Sequence, residues 1–300
     1  MMNIVKNKKH KGQLSFNFDI PKETDRNFHH GGRSFYFFDF DDNIAYLSTP
    51  IIIFHKKTGT EVALSSSEFA QTHKFIGKSG LYADYFMDFN DAKGSFRYFR
   101  DKELCPIDIK EGKRQGFVDD IQKALLSVDS LWKAPSWNCF FHATYNHRPL
   151  SLITARGHHP DTIKNGVNLM VKSGHLPHDP NYHSIYPVSH PETRLSLGDH
   201  SLTKSVAELK KEAIRASVKK AIDVYGHSPY HRFGMSDDDH KNVELITEEM
   251  RDLKREYPEM SFFVIETFKD SYSKFEILEH ETREVISAKE SKNAQMSLFD

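Results

Sequence analysis

Between Arg33 and Ile44 the chain reads RSFYFFDFDDNI, a continuous aromatic run that turns acidic within a few residues. A short apolar run without polar alternation predicts a strand buried on both faces. Carboxylates that follow it directly must emerge at the edge of the sheet. The stretch TPIIIFHKKTGTEVALSSSEF holds two apolar runs around a Thr-Gly turn and predicts a hairpin. Residues 65–116 mix aromatics, charges and glycines without a clean period. In FVDDIQKALLSV, the spacing of Phe117, Ile121, Leu125 and Val128 predicts a helix. RPLSLITARG predicts a second buried strand. HPDTIKNGVNLMVKSG predicts a helix with Pro160 in its first turn and Gly174 past its end. HSIYPVS reads as a short strand, and SVAELKKEAIRASVKKAIDVYG as an amphipathic helix closed by Gly226. HRFGMSDDD is a strand that again ends on acids; KNVELITEEMRDLKREYP is a helix and MSFFVIETF a strand. From residue 149 onward strands and helices alternate. That order predicts parallel strands with crossover helices: an α/β, Rossmann-like three-layer sandwich with a parallel sheet.

Composition narrows the function classes. The 300 residues allow one large domain or two modest ones. A net charge of -1 gives no global attraction to nucleic acid or anionic membrane. Cys105 and Cys139 are the only cysteines and lie far apart, which excludes a disulfide framework and suits a reducing, cytoplasmic setting. No apolar run is long enough to span a membrane. The basic start MMNIVKNKKHKGQ lacks the apolar core of a secretory signal. The 18 histidines are scattered without a ligand pair at helical spacing, and read as exposed or hydrogen-bonded side chains.

Four polar clusters fall at or near the ends of these elements: Asp39 with Asp41, Thr154, Lys210 or Lys211, and Asp237 with Asp238. In an open parallel sheet the strands' carboxyl ends share one edge, where ligands bind, so the clusters can converge. Their chemistry is complementary. Carboxylates from separate strands suit Mg²⁺, and a hydroxyl with an ammonium suits phosphate oxygens. One carboxylate can attack phosphorus while a second exchanges protons with the leaving oxygen and water. Singly, each residue also has an ordinary reading, as a turn acid, a cap or a strand end.

Together the motifs resemble the haloacid dehalogenase (HAD) superfamily. FYFFDFDDNI is similar to its first motif, LSLITARG to its second, AELKKEAI to its third and FGMSDDDHKN to its fourth. The resemblance covers about residues 33–50 and 149–265. It implies Asp39 as nucleophile and Asp41 as general acid/base. Thr154 would bind phosphoryl oxygen, and Lys210 would neutralise charge between nucleophile and phosphate, with Lys211 as the neighbouring candidate. Mg²⁺ would be held by the Asp39 carboxylate, the Asp41 main-chain carbonyl and Asp237, with Asp238 close by. The family usually has Thr or Val where this chain has Asn43, and Asp42 is an addition. Asp41 favours a phosphatase over a dehalogenase. A response-regulator receiver also groups acids, Thr or Ser and Lys around Mg²⁺, but its acidic pair precedes the Lys; here Asp237 follows Lys210. The expectation is a Mg²⁺-dependent phosphatase acting through an aspartyl-phosphate on a phosphorylated substrate, nucleotide or nucleic-acid-end phosphates included. The alternative is a DNA-clamp-associated interaction protein whose HAD-like site is silent.

Asp39 and Thr154 lie 115 positions apart, far more than a crossover needs. That predicts an inserted cap at residues 51–116, inside a core of 31–50 and 117–285, with a polar tail at 1–30 and a flexible one at 286–300. The aromatics of the insert form either its own core or, with Lys93, Arg97 and Arg100, a platform for a base. The last residues, QMSLFD, resemble the peptide by which bacterial replication and repair proteins dock on the sliding clamp, at Gln295, Met296, Ser297, Leu298 and Phe299. QLSFNF at Gln13–Phe18 is a looser match. The other reading is that the terminal apolar residues pack back on the core.

Overall fold

The computed structural model describes residues 21–269 and 271–290. The described residues form ten strands: β1 (Ser34–Phe38), β2 (Ile51–His55), β3 (Glu61–Leu64), β4 (Tyr85–Phe86), β5 (Leu150–Thr154), β6 (Tyr182–Pro187), β7 (Arg232–Asp237), β8 (Ser261–Thr267), β9 (Tyr272–Ile277) and β10 (Thr282–Ile286). The α-helices among them are α1 (Ser66–Thr72), α2 (Pro106–Lys110), α3 (Gly116–Leu125), α4 (Asp129–Trp132), α5 (Trp137–Tyr145), α6 (Pro160–Lys172), α7 (Pro191–Ser196), α8 (Val206–Tyr225) and α9 (His240–Glu256).

The main sheet runs β10-β9-β8-β7-β1-β5-β6. Its strands from β8 to β6 are all parallel; β9 and β10 continue it antiparallel. The alternating order from residue 149 onward therefore yields the parallel sheet its sequence predicts. The side-chain alternation of β1 divides the core. Phe35 and Phe37 face one cluster with Leu209, Ile214, Phe233 and Met250, under α8 and α9. Phe38 faces another with Phe117, Phe140, Leu152 and Val167, under α3, α5 and α6. Phe35 stacks on Phe233 at 4.8 Å, and Phe233 on Phe262 at 5.5 Å, an aromatic row across β1, β7 and β8.

Residues between β1 and β5 in sequence build a separate three-stranded sheet, β3-β2-β4. Ile53, Leu64 and Ile76 form its small core, with Phe69, Tyr82 and Tyr85 packed against it. It is tied to the parallel sheet's side of the molecule by backbone and side-chain bonds. Gly157 N–H donates to Phe99 O (2.9 Å), and Asp101 accepts from His159 N (2.9 Å) and Thr162 Oγ1 (3.0 Å).

Three features lie outside the sequence expectations. Helices α4 and α5 bury Trp132 and Trp137 in a stretch without an assigned pattern. The antiparallel strands β9 and β10 follow β8 in a stretch to which the sequence reading assigns no element. The chain is also anchored earlier than residue 31: buried Asp25 accepts from Ser34 N (2.7 Å) and Ser34 Oγ (2.8 Å) and pairs with Arg148 at 3.4 Å. Toward the other terminus, Ser287 and Glu290 bond each other in a capped turn. Gln13–Phe18, Gln295, Met296, Ser297, Leu298 and Phe299 lie outside the described residues. Among the described residues, no helix is long and apolar enough to cross a membrane.

Helices α3 and α6 approach closely because Gly166 has no side chain. A methyl group there would stand 2.4 Å from Phe117 Cε1, a fully buried ring. Gly→Ala inside an exposed helix stabilises by about 1 kcal/mol. Here overpacking reverses the sign: Gly166→Ala should destabilise by about 1–3 kcal/mol. A denaturant titration checks this; an unchanged or higher midpoint would show that Phe117 yields freely.

Candidate active site

The adjacent parallel strands β5, β1 and β7 bring their carboxyl ends to one edge. Thr154 is the last residue of β5, Asp39 follows β1, and Asp237 is the last residue of β7. Their register is fixed along the strands, with Phe38 opposite both Leu152 and Ser236. The fourth contributor comes from above. Helix α8 begins in a reciprocal cap between Ser205 and Glu208, and its inward face carries Leu209, Lys210, Ala213 and Ile214. Lys210 is thereby driven under the edge, fully buried. Lys211 points elsewhere, 3.5 Å from Glu248 and partly exposed. Of the two lysines open in the sequence, the structure selects Lys210.

Lys210 Nζ lies 2.6 Å from Asp237 Oδ2 and 3.2 Å from Asp39 Oδ1. Burial opposes charge on the ammonium, but Asp237 and Asp39 outweigh it and raise its pKa. Asp237 Oδ1 accepts from Asp239 N (3.0 Å) and Asn242 Nδ2 (3.1 Å), which fixes the carboxylate. Carboxylate oxygens of Asp39, Asp237 and Asp238 all lie within 4.8 Å of one another. Burial pushes the Asp39 carboxyl up, Lys210 opposes this, and Asp237 and Asp41 add to it. The Asp238 carboxyl is pushed up too, by its crowded surroundings and then by Asp39 and Asp237. Asp238 as a residue is nonetheless open to solvent, so water screens part of that crowding. Asp39 Oδ1 is buried and makes no hydrogen bond, despite the nearby ammonium. A buried oxygen that accepts no hydrogen bond, among three clustered carboxylates, suits a hard divalent cation, and the donor set is of the type Mg²⁺ takes.

The loop after β1 is wound tightly. Ile44 and Ala45 both donate to Phe40 O, and Asp42 N donates to Ala45 O. Asp42 takes a φ of 56°, a left-handed conformation that Asp tolerates better than most side chains. Asn43 is buried and locks the turn to the sheet. Its Nδ2 donates to Asp39 O (3.1 Å), Ser236 O (2.8 Å) and Ser236 Oγ (2.9 Å). The departure at position 43 thus keeps a loop-holding hydrogen bond. Asp42 accepts from Ser66 Oγ at 3.2 Å; burial and then Asp41 push its pKa up to about 6.

Asp41 does not join the three-carboxylate group. Arg156 grips it with a fork: Nε to Oδ2 at 2.7 Å and Nη2 to Oδ1 at 2.6 Å. The guanidinium is fully buried between the rings of Phe99 and Phe117, 4.8 and 4.7 Å from their centroids. Its Nη2 also donates to Thr49 Oγ1 (2.8 Å), which donates to Asp120 Oδ2 (2.5 Å). Arg156 and Thr49 escape the sequence reading. The visible signal for Arg156 is its place two residues past Thr154, a full charge immediately behind a buried strand. Thr154 is itself buried, and its Oγ1 accepts from Arg156 N at 3.4 Å; no hydrogen bond joins it to the carboxylates.

No family model, no curated protein and no solved structure matches this chain. The site stands on its own geometry, and its cation preference can be measured directly. Mg²⁺ in hundredfold excess over its Kd should stabilise the protein by about 2.7 kcal/mol. Asp238→Ala should shrink that gain. Without cation, the same variant should melt no lower than the wild type, because it relieves like-charge repulsion. Thermal unfolding with and without Mg²⁺ reads both effects, and a wild-type midpoint indifferent to divalent cations would count against a metal centre.

Proposed function

We propose that this protein is a divalent-cation-dependent phosphomonoesterase that works through an aspartyl-phosphate on Asp39. The observation that carries the reading is the meeting of Asp39, Lys210, Asp237 and Asp238 at one sheet edge, with Asp39 Oδ1 buried and free of hydrogen bonds. One oxygen of the Asp39 carboxylate is the attacking atom. It forms a bond to phosphorus while the ester P–O bond breaks, and the leaving oxygen takes up a proton. Water then attacks the same phosphorus, and the Asp39 carboxylate is released with inorganic phosphate. Lys210 lowers the repulsion between an anionic nucleophile and an anionic phosphate. A Mg²⁺ ion held by Asp39, Asp237 and Asp238, with the Asp41 carbonyl as the further expected donor, would supply additional positive charge for the phosphoryl oxygens.

Asp41 is the acid/base in this scheme. The Arg156 fork uses one lone pair on each of its oxygens, and each keeps another for a water or a leaving oxygen. Arg156 is then a positioning residue: it fixes the direction of a carboxylate that must act at two successive steps.

Asp39→Asn should abolish release of phosphate from an aryl phosphate, because an amide does not attack phosphorus; wild-type turnover in the folded variant would sink the assignment. Asp41→Asn should behave differently. Hydrolysis of the intermediate should slow by about 10²–10⁴-fold, with phosphoenzyme accumulating on a substrate with a good leaving group. Acid-quench labelling detects that species. Arg156→Lys keeps the charge but loses the fork. It should lower kcat by less than Asp41→Asn does while leaving the Mg²⁺-dependent shift in unfolding intact; loss of that shift would place Arg156 in the cation site instead.

A further inference from the structure

Beside the carboxylate edge lies a cleft of about 610 Å³, walled on one side by the inserted segment and on the other by residues that follow β5 and β6 and open α8. It adjoins the site through two side chains. Ser66 lines the cleft and donates to Asp42, and Phe99 lines it while lying under the Arg156 guanidinium that holds Asp41. Its apolar wall is built from Phe69, Phe89, Phe96 and Phe99, with Phe89 and Phe96 stacked at 6.2 Å.

Phe89 is 74% exposed, and Leu202, in the facing wall, is 52% exposed. The Phe89 ring is not displayed by a slack loop. Asn90 Oδ1 accepts from Ala92 N and Lys93 N, Ser95 N donates to Asp88 O at 2.6 Å, and Ser95 Oγ accepts from Asp88 N. Gly94 is required there, since a Cβ would stand 2.4 Å from the carbonyl oxygens of Asn90 and Asp88. A tightly bonded loop therefore holds an aromatic face in water at the mouth of the cleft. The cations in the lining are each already paired: Arg100 with Asp91, Arg194 with Asp199, and Lys204 with Glu212. The cleft thus offers an aromatic wall and no surplus positive charge for a second or third phosphate.

We infer that the substrate is a phosphomonoester whose leaving group carries a planar heteroaromatic ring, a nucleotide bearing one terminal phosphate, with its base against Phe89 and Phe96. The inference rests on the phosphatase reading for the chemistry but on the cleft alone for the ring. Stacking of a base on an aromatic side chain is a sequence-tolerant contact, and losing it weakens binding by about tenfold or more.

The test uses the full chain and two readouts. An etheno-adenosine monophosphate is titrated by fluorescence, and kcat/KM is measured for a nucleoside monophosphate, for a single-stranded oligonucleotide with a terminal phosphate, and for glycerol phosphate. Saturable quenching is expected, weakened about tenfold in Phe89→Ala and also weakened in Leu202→Ala. Either nucleotide arm should exceed glycerol phosphate, and the ratio should fall in Phe89→Ala. Preference for the oligonucleotide identifies a strand end as the source of the ring, and preference for the mononucleotide a free metabolite. Ring-dependent quenching with no hydrolysis of any phosphate upholds the ring site and overturns the phosphatase reading. Hydrolysis with no preference for the nucleotide arms, or quenching unchanged in both variants, overturns the ring site.

Discussion

A buried ammonium between two buried carboxylates is the contact on which the rest of the site depends. Lys210 is surrounded by the apolar residues of α8, and its charge is tolerable there only because Asp237 and Asp39 stand at 2.6 and 3.2 Å. The arrangement is self-consistent in both directions. Without the lysine, clustered acids would meet at a desolvated sheet edge; without the acids, the lysine would be an unpaired charge in the core. Neither half constitutes a stable structure alone. The capping box at Ser205, the parallel pairing of β1 with β7 and the Asn43 hydrogen bonds all act to hold the two halves in register.

The parallel core is written plainly in the chain because β1, β5 and β8 are short apolar runs and the crossover helices carry end signals. Pro160, Gly174 and Gly226 mark helix ends by backbone chemistry that needs no tertiary context. The site residues are legible for a related reason: an acid or hydroxyl directly after a buried strand has nowhere to be but the edge. The pairings among them are not legible. Nothing local distinguishes Lys210 from Lys211, since the choice depends on which face of α8 meets the sheet. Arg156 is hidden for the same reason. Its role rests on Thr49 and Asp41, 107 and 115 positions away. Strands β9 and β10 lie at the sheet's margin, where burial is partial, and α4 is too short, at four residues, to show a period.

The aromatic residues between β2 and α2 illustrate how one composition serves two purposes. Phe69, Tyr82 and Tyr85 pack on Ile53, Leu64 and Ile76 as an ordinary small core. Phe69 also reaches the cleft, where Phe89 and Phe96 continue the wall beyond that core. Of the basic residues counted with them, Arg97 is bound to Glu61, and Arg100 to Asp91 and the Ser189 carbonyl. These two guanidinium groups organise the protein's own loops.

Arg156 lies between a ring from each side, Phe99 from the segment between β1 and β5 and Phe117 from α3. This makes the segment a poor candidate for modular exchange. Replacing the residues around Phe99 would strip one face from the guanidinium that grips Asp41. The seam at Phe99 can therefore change only in step with the core, whereas Phe89 and Leu202, exposed at the rim of the cleft, carry no such constraint.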